Sequence, residues 1–266
     1  PGKAGGVTRF VWDLAKSTVD ERALEGVDSI IHLSGAGIAD KRWTPARLKE
    51  LYASRSGAAR LLLKVAKAHG LWPKSFISAS GVGFYGAITS ERIFVESDPA
   101  GNDTIGRLSA DWENAADEWN PNARVVKLRT PVVLACEGGA LPKLSAPIRL
   151  GLGSALGSGK QWMPWIHIDD LVQAYRTAVE DERMSGAYNV VAPEQPTNAQ
   201  FMRAVANVLR KPFFLPNVPA FALHLALGEL SDVLLKGSRA SNEKLVLSGF
   251  RLKYPALSEA LRSALA

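Results

Sequence analysis

The 266-residue chain carries a formal net charge of +6, 47% hydrophobic residues and a single cysteine, Cys136. This length allows one large or two modest domains, and the lone cysteine excludes both an internal disulfide framework and a zinc site built on cysteines. The basic residues are scattered and never form a run of four, which argues against nucleic-acid binding and favours a phosphate-bearing cofactor or substrate.

No stretch of eighteen apolar residues occurs, so we predict no transmembrane segment. The single cysteine favours a reducing compartment, and we expect the cytoplasm or an organelle matrix or stroma. A signal peptide is not recognisable. The chain begins at Pro1 without a methionine, and we expect it to start in the middle of a longer protein. Cys136 is expected to be a small buried thiol near the end of a strand.

The first half of the chain alternates apolar strands with helical patterns. Strands are predicted at 7–12, 29–33, 75–79 and 124–129. Thr44 caps a helix with Pro45 in its first turn, and this helix runs to residue 68 and is closed by Gly70. A further helix is predicted over 109–119.

The second half mixes short strands with helices. It has a glycine-rich stretch at 151–159, strands at 165–168 and 188–191, and a helix that Asp169 caps and that runs to about residue 180. A capping box at Thr197 opens a helix to residue 209, and the pattern beyond Pro219 is helical. This alternation predicts an α/β fold with a doubly wound parallel sheet and a smaller, mostly helical C-terminal lobe.

The segment 78–86 is the most informative part of the chain. It follows an apolar strand and brings two hydroxyls, Ser80 and Tyr85, to the carboxyl end of that strand, where open α/β sheets bind their ligands. In a nicotinamide-dependent enzyme a Tyr-x-x-x-Lys pair completes such a site. None of the five tyrosines has a lysine four residues later, so this pair is missing.

Two glycine patterns imitate a dinucleotide fingerprint, at 81–86 and at 151–157. A true fingerprint opens a helix that holds the pyrophosphate at its amino end, and neither pattern is followed by a helix. We therefore expect the sheet to lack its first strand–helix–strand unit, about thirty residues long.

Taken together, the order of these motifs resembles the atypical extended short-chain dehydrogenase/reductases, the "epimerase family protein" group of NAD-dependent epimerase/dehydratase-like proteins with a C-terminal domain of unknown function. The matching pieces are 32–36, 42–44, 54–55, 78–80, 85–86, 128–130, 138–143, 149–153, 165–171, Asn189, 192–193, 197–198, 219–223, 249–250 and 254–255. The resemblance implies a Rossmann-like fold. It divides the chain into a dinucleotide-binding domain over 1–140 and a substrate and helical lobe over 141–266, with 162–192 returning to the sheet domain.

The same resemblance implies a cofactor, NADP or alternatively NAD, and a set of residues around it. These cofactor-binding residues are Asp13, Leu33, Ser34, Gly35, Ala36, Arg55, Ser78, Thr130 and Val132. Three of these assignments have alternatives: Asp13 faces the adenine or is a surface cap, the glycines at 35–37 approach the cofactor or only form a turn, and Arg55 contacts the cofactor or is a solvated helix residue.

For chemistry, the resemblance implies that Ser80 bonds a substrate oxygen and that Tyr85 is either the catalytic acid or a residue with a packing or substrate-contact role. Arg107 is the cation on the following helix that could lower the pKa of a phenol. Arg149, Lys160 and Trp162 are expected to form a pocket for a phosphorylated or nucleotide-linked substrate.

His167, Asp169 and Asp170 imitate a catalytic or metal cluster, but no metal is predicted: Asp169 serves as a helix cap and His167 ties the two lobes together. Two functions stay open at this point. The chain is an NADP-dependent reductase, epimerase or dehydratase acting on a small molecule, or it is a non-catalytic Rossmann-like scaffold or dinucleotide sensor. Either could belong to an oligomer or a larger assembly.

Overall fold

The computed structural model describes residues 2–4 and 6–265. The strands are β1 (Gly2–Ala4), β2 (Val7–Arg9), β3 (Trp12–Asp13), β4 (Thr18–Val19), β5 (Ser29–His32), β6 (Ser75–Gly81), β7 (Ile93–Phe94), β8 (Arg124–Thr130), β9 (Val132–Leu134), β10 (Trp165–His167), β11 (Gly186–Asn189) and β12 (Arg239–Ala240). The helices are α1 (Pro45–Tyr52), α2 (Ala58–His69), α3 (Thr104–Asp117), α4 (Leu141–Arg149), α5 (Ile168–Glu180), α6 (Asn198–Val208), α7 (Ala220–Leu227), α8 (Ser231–Leu235), α9 (Glu243–Leu247) and α10 (Leu257–Leu265).

Four parallel strands form the main sheet, in the order β11–β8–β6–β5. The neighbouring strands β9 and β10 form a separate parallel pair, as do β7 and β12. Parallel pairing requires crossover connections, and the helices α1 to α3 and α5 supply them. The prediction of a parallel α/β sheet is confirmed.

Helices cover both faces of this sheet because side chains alternate along each strand. Phe76 and Val125 point to one face and pack against α2 and α3, where Trp119 stacks on Phe76. Ile77 and Val126 point to the other face and pack against α5. Such apolar residues on both faces explain why the strands appear in the sequence as almost continuous hydrophobic runs.

The C-terminal lobe shares a third core with β9, α4, α6 and α10, centred on buried residues such as Trp165 and Phe201. Asp170, 2% exposed, accepts hydrogen bonds from the backbone N–H groups of Lys253 at 2.6 Å and Tyr254 at 3.0 Å. His167 packs on the ring of Tyr254 with centroids 4.0 Å apart. His167 and Asp170 thus hold the segment before α10 in place. The domain boundary near residue 140 stays a prediction.

The predicted cap of α5 is wrong by two residues. The side chain of His167, not of Asp169, caps the helix, since its Nδ1 accepts from the Asp169 N–H at 3.1 Å. Asp169 instead pairs with Lys253 Nζ at 2.9 Å. A carboxylate in the first turn imitates a cap in sequence, and only the tertiary contact with Lys253 separates the two roles.

Three further boundaries differ from the predictions. The strand expected at 7–12 is divided into β2 and β3. The helix α3 starts at Thr104, five residues earlier than predicted, because Asp103 Oδ1 accepts from the Gly106 N–H at 2.8 Å. The tail beyond Pro219 is mostly helical but is interrupted by β12.

The helix predicted from Pro45 to residue 68 is continuous but not uniform. Thr44 caps it as expected, accepting from the Arg47 N–H at 3.1 Å, and Gly70 ends it in the left-handed conformation at φ +65°. Between α1 and α2, residues Ala53–Gly57 form one π-helical turn. A π turn inserts one residue into the helical repeat and changes which side chains face the sheet, and such turns are frequent at functional sites.

The segment that imitates a dinucleotide fingerprint is a tight loop, as predicted. Val82–Tyr85 form a 3₁₀ turn and Gly86 follows at φ +88°. A Cβ on Gly101 would lie only 2.6 Å from the Cα of Gly86, so this pair of glycines allows two backbone segments to touch. These glycines serve chain packing at the start of α3.

Two classes of feature are absent from the described ranges, 2–4 and 6–265. No helix there has both the length and the apolar character to cross a bilayer. In the same ranges, no three His, Cys, Asp or Glu side chains are grouped so that they could hold a metal ion.

Candidate functional site

A cleft of about 320 Å³ lies at the carboxyl ends of β5, β6 and β8 and is closed on one side by α5. Its lining residues are Leu33, Ala79, Ser80, Trp112, Thr130, Ile168, Leu171, Val172 and Tyr175. Most of this wall is apolar, with a few polar groups at the strand ends. That composition and position are typical of ligand sites in open α/β sheets.

The loop 33–37 borders this cleft and is held by the π turn. Ser34 Oγ donates to the Ser54 carbonyl at 2.8 Å, and the Ala36 N–H donates to Ser54 Oγ at 2.9 Å. Arg47, on α1, donates to the Gly37 carbonyl. The predicted cofactor residues Leu33 to Ala36 therefore lie on one loop that is fixed by these bonds, and of the four only Leu33 lines the cleft.

Arg55 lies behind this loop and is only 6% exposed. Its guanidinium donates to the carbonyls of Ala36 at 3.0 Å and Leu51 at 3.2 Å, and it lies 5.0 Å from the ring of Trp112. Its Nε has no partner, and no carboxylate among the described residues pairs with it. Burial, with repulsion from Arg47, lowers the pKa of Arg55 to about 10. The alternative of an ordinary solvated arginine is therefore wrong.

Other predicted cofactor residues are dispersed. Thr130 lines the cleft. Ser78 is fully buried within β6 and Val132 packs into the C-terminal core, so neither reaches the cleft surface. Asp13 closes the turn between β3 and β4 by accepting from the N–H groups of Ala15 at 2.9 Å and Lys16 at 3.1 Å. This geometry favours the surface-cap alternative for Asp13.

Ser80 lies at the cleft and is joined to a buried ion pair. Its Oγ donates to Glu113 Oε1 at 2.7 Å. Glu113 in turn accepts from Arg129 through two bonds, Nε to Oε1 at 2.7 Å and Nη2 to Oε2 at 2.9 Å. All three side chains are less than 5% exposed. The strand-end serine is thus oriented by a carboxylate that Arg129 holds through two charge-assisted hydrogen bonds.

Tyr85 lies on the far side of the same network and is 1% exposed. Its hydroxyl donates to Asn189 Oδ1 at 2.8 Å and accepts from Arg129 Nη1 at 2.9 Å, while its ring stacks on Phe94. Burial raises the pKa of Tyr85 above its ordinary value, against the opposing effect of Arg129. This arrangement favours the packing role, since Tyr85 does not line the cleft.

The cation expected to activate Tyr85 is also placed elsewhere. Arg107 is exposed on α3 and donates to the Asn102 carbonyl. Arg129, in the strand β8, is the cation that contacts the phenol. Arg107, the only cation that the following helix offers in the sequence, therefore does not contact the phenol, because proximity in sequence does not show which side chain faces the ring.

The three predicted substrate residues are not brought together at this cleft. Arg149 lines a separate cavity of about 310 Å³ beside Cys136, between α4 and α10. Lys160 is exposed, and Trp162 donates to the Ser90 carbonyl at 3.0 Å with Arg239 over its ring. Cys136 follows a strand as expected, but it is exposed and not buried.

Sequence reasoning passed over three residues that shape the cleft. Glu113 looks like an ordinary helix carboxylate in sequence, although its position after Trp112 within the apolar face of α3 was a usable signal. Trp112 lines the cleft, and its Nε1 has no partner in the part of the chain that the structure describes. Tyr175 lines the same cleft from α5, and burial strongly raises its pKa.

Comparison with known proteins identifies the family of this chain. The model of the NAD dependent epimerase/dehydratase family matches residues 3–191, and that of a domain of unknown function, DUF1731, matches residues 218–264. An epimerase family protein of Mycobacterium bovis is 36% identical over 252 residues, covering 94% of this chain and 82% of the relative. One from Bacillus subtilis is 35% identical, covering 97% and 84%.

A solved structure extends the likeness to three dimensions. The crystal structure of human epimerase family protein SDR39U1 with NADPH superimposes with a TM-score of 0.83 at 31% identity, covering 92% of this chain and 85% of that one. The resemblance predicted from the sequence is confirmed, together with the Rossmann-like fold. The chain belongs to the NAD dependent epimerase/dehydratase family.

Proposed function

We propose that this chain binds NADP(H) at the carboxyl edge of its sheet and acts there on a small-molecule substrate as an oxidoreductase or epimerase. The loop 33–37, Arg55 and the cleft wall from Ser80 to Thr130 would hold the cofactor. The NADPH bound to the human relative supports NADP(H), and the NAD dependence in the family's description keeps NAD as the alternative.

The observation that carries the proposal is a buried cation behind the loop 33–37, 5.0 Å from the ring of Trp112 in the cleft wall. Arg55 has no carboxylate partner among the described residues, and burial alone makes its charge costly. Buried charges in proteins are normally paired, so a site of this kind fits an anionic ligand. A dinucleotide with its phosphates supplies such a ligand and also has planar rings for the apolar wall of the cleft.

When bound, the nicotinamide would supply hydride transfer; the chain supplies position and polarity. Ser80 meets the ligand at the end of β6, and Leu33, Leu171 and Val172 exclude water from the adjoining surface. We do not propose Tyr85 as the proton donor, since its hydroxyl already donates to Asn189 and accepts from Arg129.

Fluorescence titration of the chain with NADPH tests the proposal. We expect saturable enhancement of nicotinamide emission, with a lower dissociation constant for NADPH than for NADH. An unchanged emission spectrum at millimolar NADPH would contradict cofactor binding. The same titration with Arg55→Ala tests the buried cation. Arg60→Ala, which removes an exposed cation paired to Asp111 and Glu118, controls for a general loss of positive charge.

A second candidate function is a dinucleotide sensor without turnover. The absence of a Tyr-x-x-x-Lys pair and the burial of Tyr85 favour it. Saturable NADPH binding with no consumption of NADPH across small carbonyl compounds and nucleotide-linked sugars would support the sensor. Oxidation of NADPH with any of these compounds would support the enzyme. The cellular compartment and the assembly state stay predictions.

A further inference from the structure

We infer that Glu113 turns Ser80 into a pure hydrogen-bond acceptor, so that the cleft selects a ligand group that brings an O–H or N–H donor to the end of β6. This inference rests on the proposed function, because it concerns the ligand of the same cleft. It gives Ser80 the opposite polarity from a serine that donates to a substrate oxygen.

The proton count at Ser80 leads to this conclusion. A serine hydroxyl has one proton and two lone pairs. The proton points to Glu113 Oε1 at 2.7 Å, and that carboxylate is itself an acceptor only, because Arg129 donates to both of its oxygens. Glu113 has no proton to offer in return. Ser80 must therefore act as the donor in this bond, and only its lone pairs are left for the cleft.

The neighbouring hydroxyl at the strand ends has the same polarity. Thr130 Oγ1 donates to the Leu128 carbonyl at 3.2 Å, so its proton is also committed within the protein. The edge of the sheet thus presents two oxygens whose protons point away from the cleft. A ligand carbonyl placed against Ser80 would meet lone pairs, whereas a hydroxyl or amide N–H would find an acceptor there. The donors of the cleft wall, Trp112 and Tyr175, lie on the helices α3 and α5.

A donor in this position can come from two parts of a bound complex. The carboxamide NH₂ of the nicotinamide is one source, and a hydroxyl of the substrate is the other. The chemistry recognised is the same, and paired probes separate the sources. Glu113 is a positioning residue here: it reaches the ligand only through Ser80.

The test compares probes with and without the donor on the full chain. NADPH is compared with its 3-acetylpyridine analogue, in which a methyl group replaces the amide NH₂. Cyclohexanol is compared with tetrahydropyran, an acceptor without a donor, both with and without NADPH. Each affinity ratio is compared between proteins, so the difference in shape within a probe pair cancels.

For the wild-type chain we expect one pair to favour its donor-bearing member about tenfold. In Ser80→Ala this ratio should fall to about 1, and the pair that responds identifies the source of the donor. The matched control Ser75→Ala removes a buried serine at the other end of β6, where it bonds Ser29, and should leave the ratio unchanged.

Glu113→Gln tests whether Glu113 sets the polarity of Ser80, because a purely structural role would leave the affinity ratio of each probe pair unchanged. An amide can donate to Ser80 and free the serine proton, so the preference for the donor should shrink or reverse, with tetrahydropyran or the acetyl analogue gaining affinity. Since Glu113→Gln weakens the pairing with Arg129 and could impair folding, Ser80→Ala stands as an independent test.

Equal ratios in wild type and Ser80→Ala, or a wild-type preference for the acceptor-only probes, would overturn the inference. Failure of NADPH to bind the wild-type chain would count against the proposed function alone, because the cyclohexanol pair is also measured without cofactor.

Discussion

Two buried arginines on either side of α3 have opposite surroundings. Arg129, 3% exposed, is held by a double hydrogen bond to Glu113, by Tyr85 and by the ring of Phe84 at 3.5 Å. Arg55, 6% exposed, bonds to backbone carbonyls. The pKa of Arg129 is raised by its carboxylate despite burial, whereas that of Arg55 is lowered to about 10.

The difference separates a buried charge that is paired with a carboxylate from one that is not. A buried charge is costly, and the protein compensates that cost internally at Arg129. At Arg55 the compensation is incomplete, and the site borders an open cleft. We interpret the first as a fixed support for the sheet edge and the second as a position prepared for an anion.

The largest effect is expected from breaking the compensated site. Arg129→Met should lower the free energy of unfolding by about 3–5 kcal/mol, because it leaves the Glu113 carboxylate buried with only the more distant Lys127, 3.8 Å away. Urea denaturation measures the change.

The control for this substitution is Arg176→Met, which breaks an exposed pair with Glu180 and should leave the free energy of unfolding almost unchanged. The double variant Arg129→Met with Glu113→Leu should recover much of the loss, since both charges are then removed. A cost below 1 kcal/mol for Arg129→Met would contradict the structural role.

A slightly smaller effect is expected in the pH dependence of the free energy of unfolding, through His32 near Arg55. His32 is 2% exposed, neither ring nitrogen has a partner among the described residues, and burial together with Arg55 lowers its pKa to about 4. The unfolded chain therefore binds more protons between pH 6.5 and 4, and stability falls as pH decreases through this window. The total contribution is about 3 kcal/mol, present above pH 6.5.

Denaturation curves between pH 7 and pH 4 test this expectation. His32→Gln should flatten the dependence in that window, while His69→Gln, an exposed histidine beside Glu21, should leave it in place. Equal pH profiles for wild type and His32→Gln would show that other groups carry the dependence.

The next effect is a change in the affinity for NADPH when Arg55 is removed. Arg55→Ala should weaken NADPH binding about 10- to 100-fold, the equivalent of losing a charge-assisted bond, without lowering the midpoint of thermal unfolding. Arg55→Ala combined with a fluorescence titration measures it, and Arg60→Ala is the surface control. Unchanged affinity in Arg55→Ala would show that this cation does not face the cofactor.

The smallest effect is expected at Tyr85. Tyr85→Phe removes the bonds to Asn189 and Arg129 and should lower the free energy of unfolding by about 1–2 kcal/mol, with NADPH affinity unchanged within about twofold. Urea denaturation and NADPH titration measure the two quantities. Loss of turnover with intact stability and binding would return Tyr85 to the catalytic role.

Much of the fold was predictable because it depends on local periodicity. The strands β6 and β8, the cap at Thr44, the left-handed Gly70 and the capping box at Thr197 all follow from residue types at short spacing. The cap of α5 was not predictable, because both His167 and Asp169 can cap a helix. Lys253, 84 residues after Asp169, binds that carboxylate, and His167 is the cap.

The candidate site was predictable in outline only. Ser80 at a strand end and the loop 33–37 follow from the strand–loop pattern, and Arg55 follows from the family resemblance. The π turn that places Arg55 has no clear signal in the sequence, since it depends on packing between helix and loop.

The sequence by itself determined the family, the parallel sheet and the strand end at which the cleft lies, since these depend on hydrophobic patterns and motif order. Tertiary structure alone decided the roles of individual polar groups. Glu113, Arg129, Tyr85 and Asn189 come from separate elements, and which of them pair follows from where the sheet and α3 bury them. A buried charge or hydroxyl must find its partner in space, and sequence spacing does not record that distance.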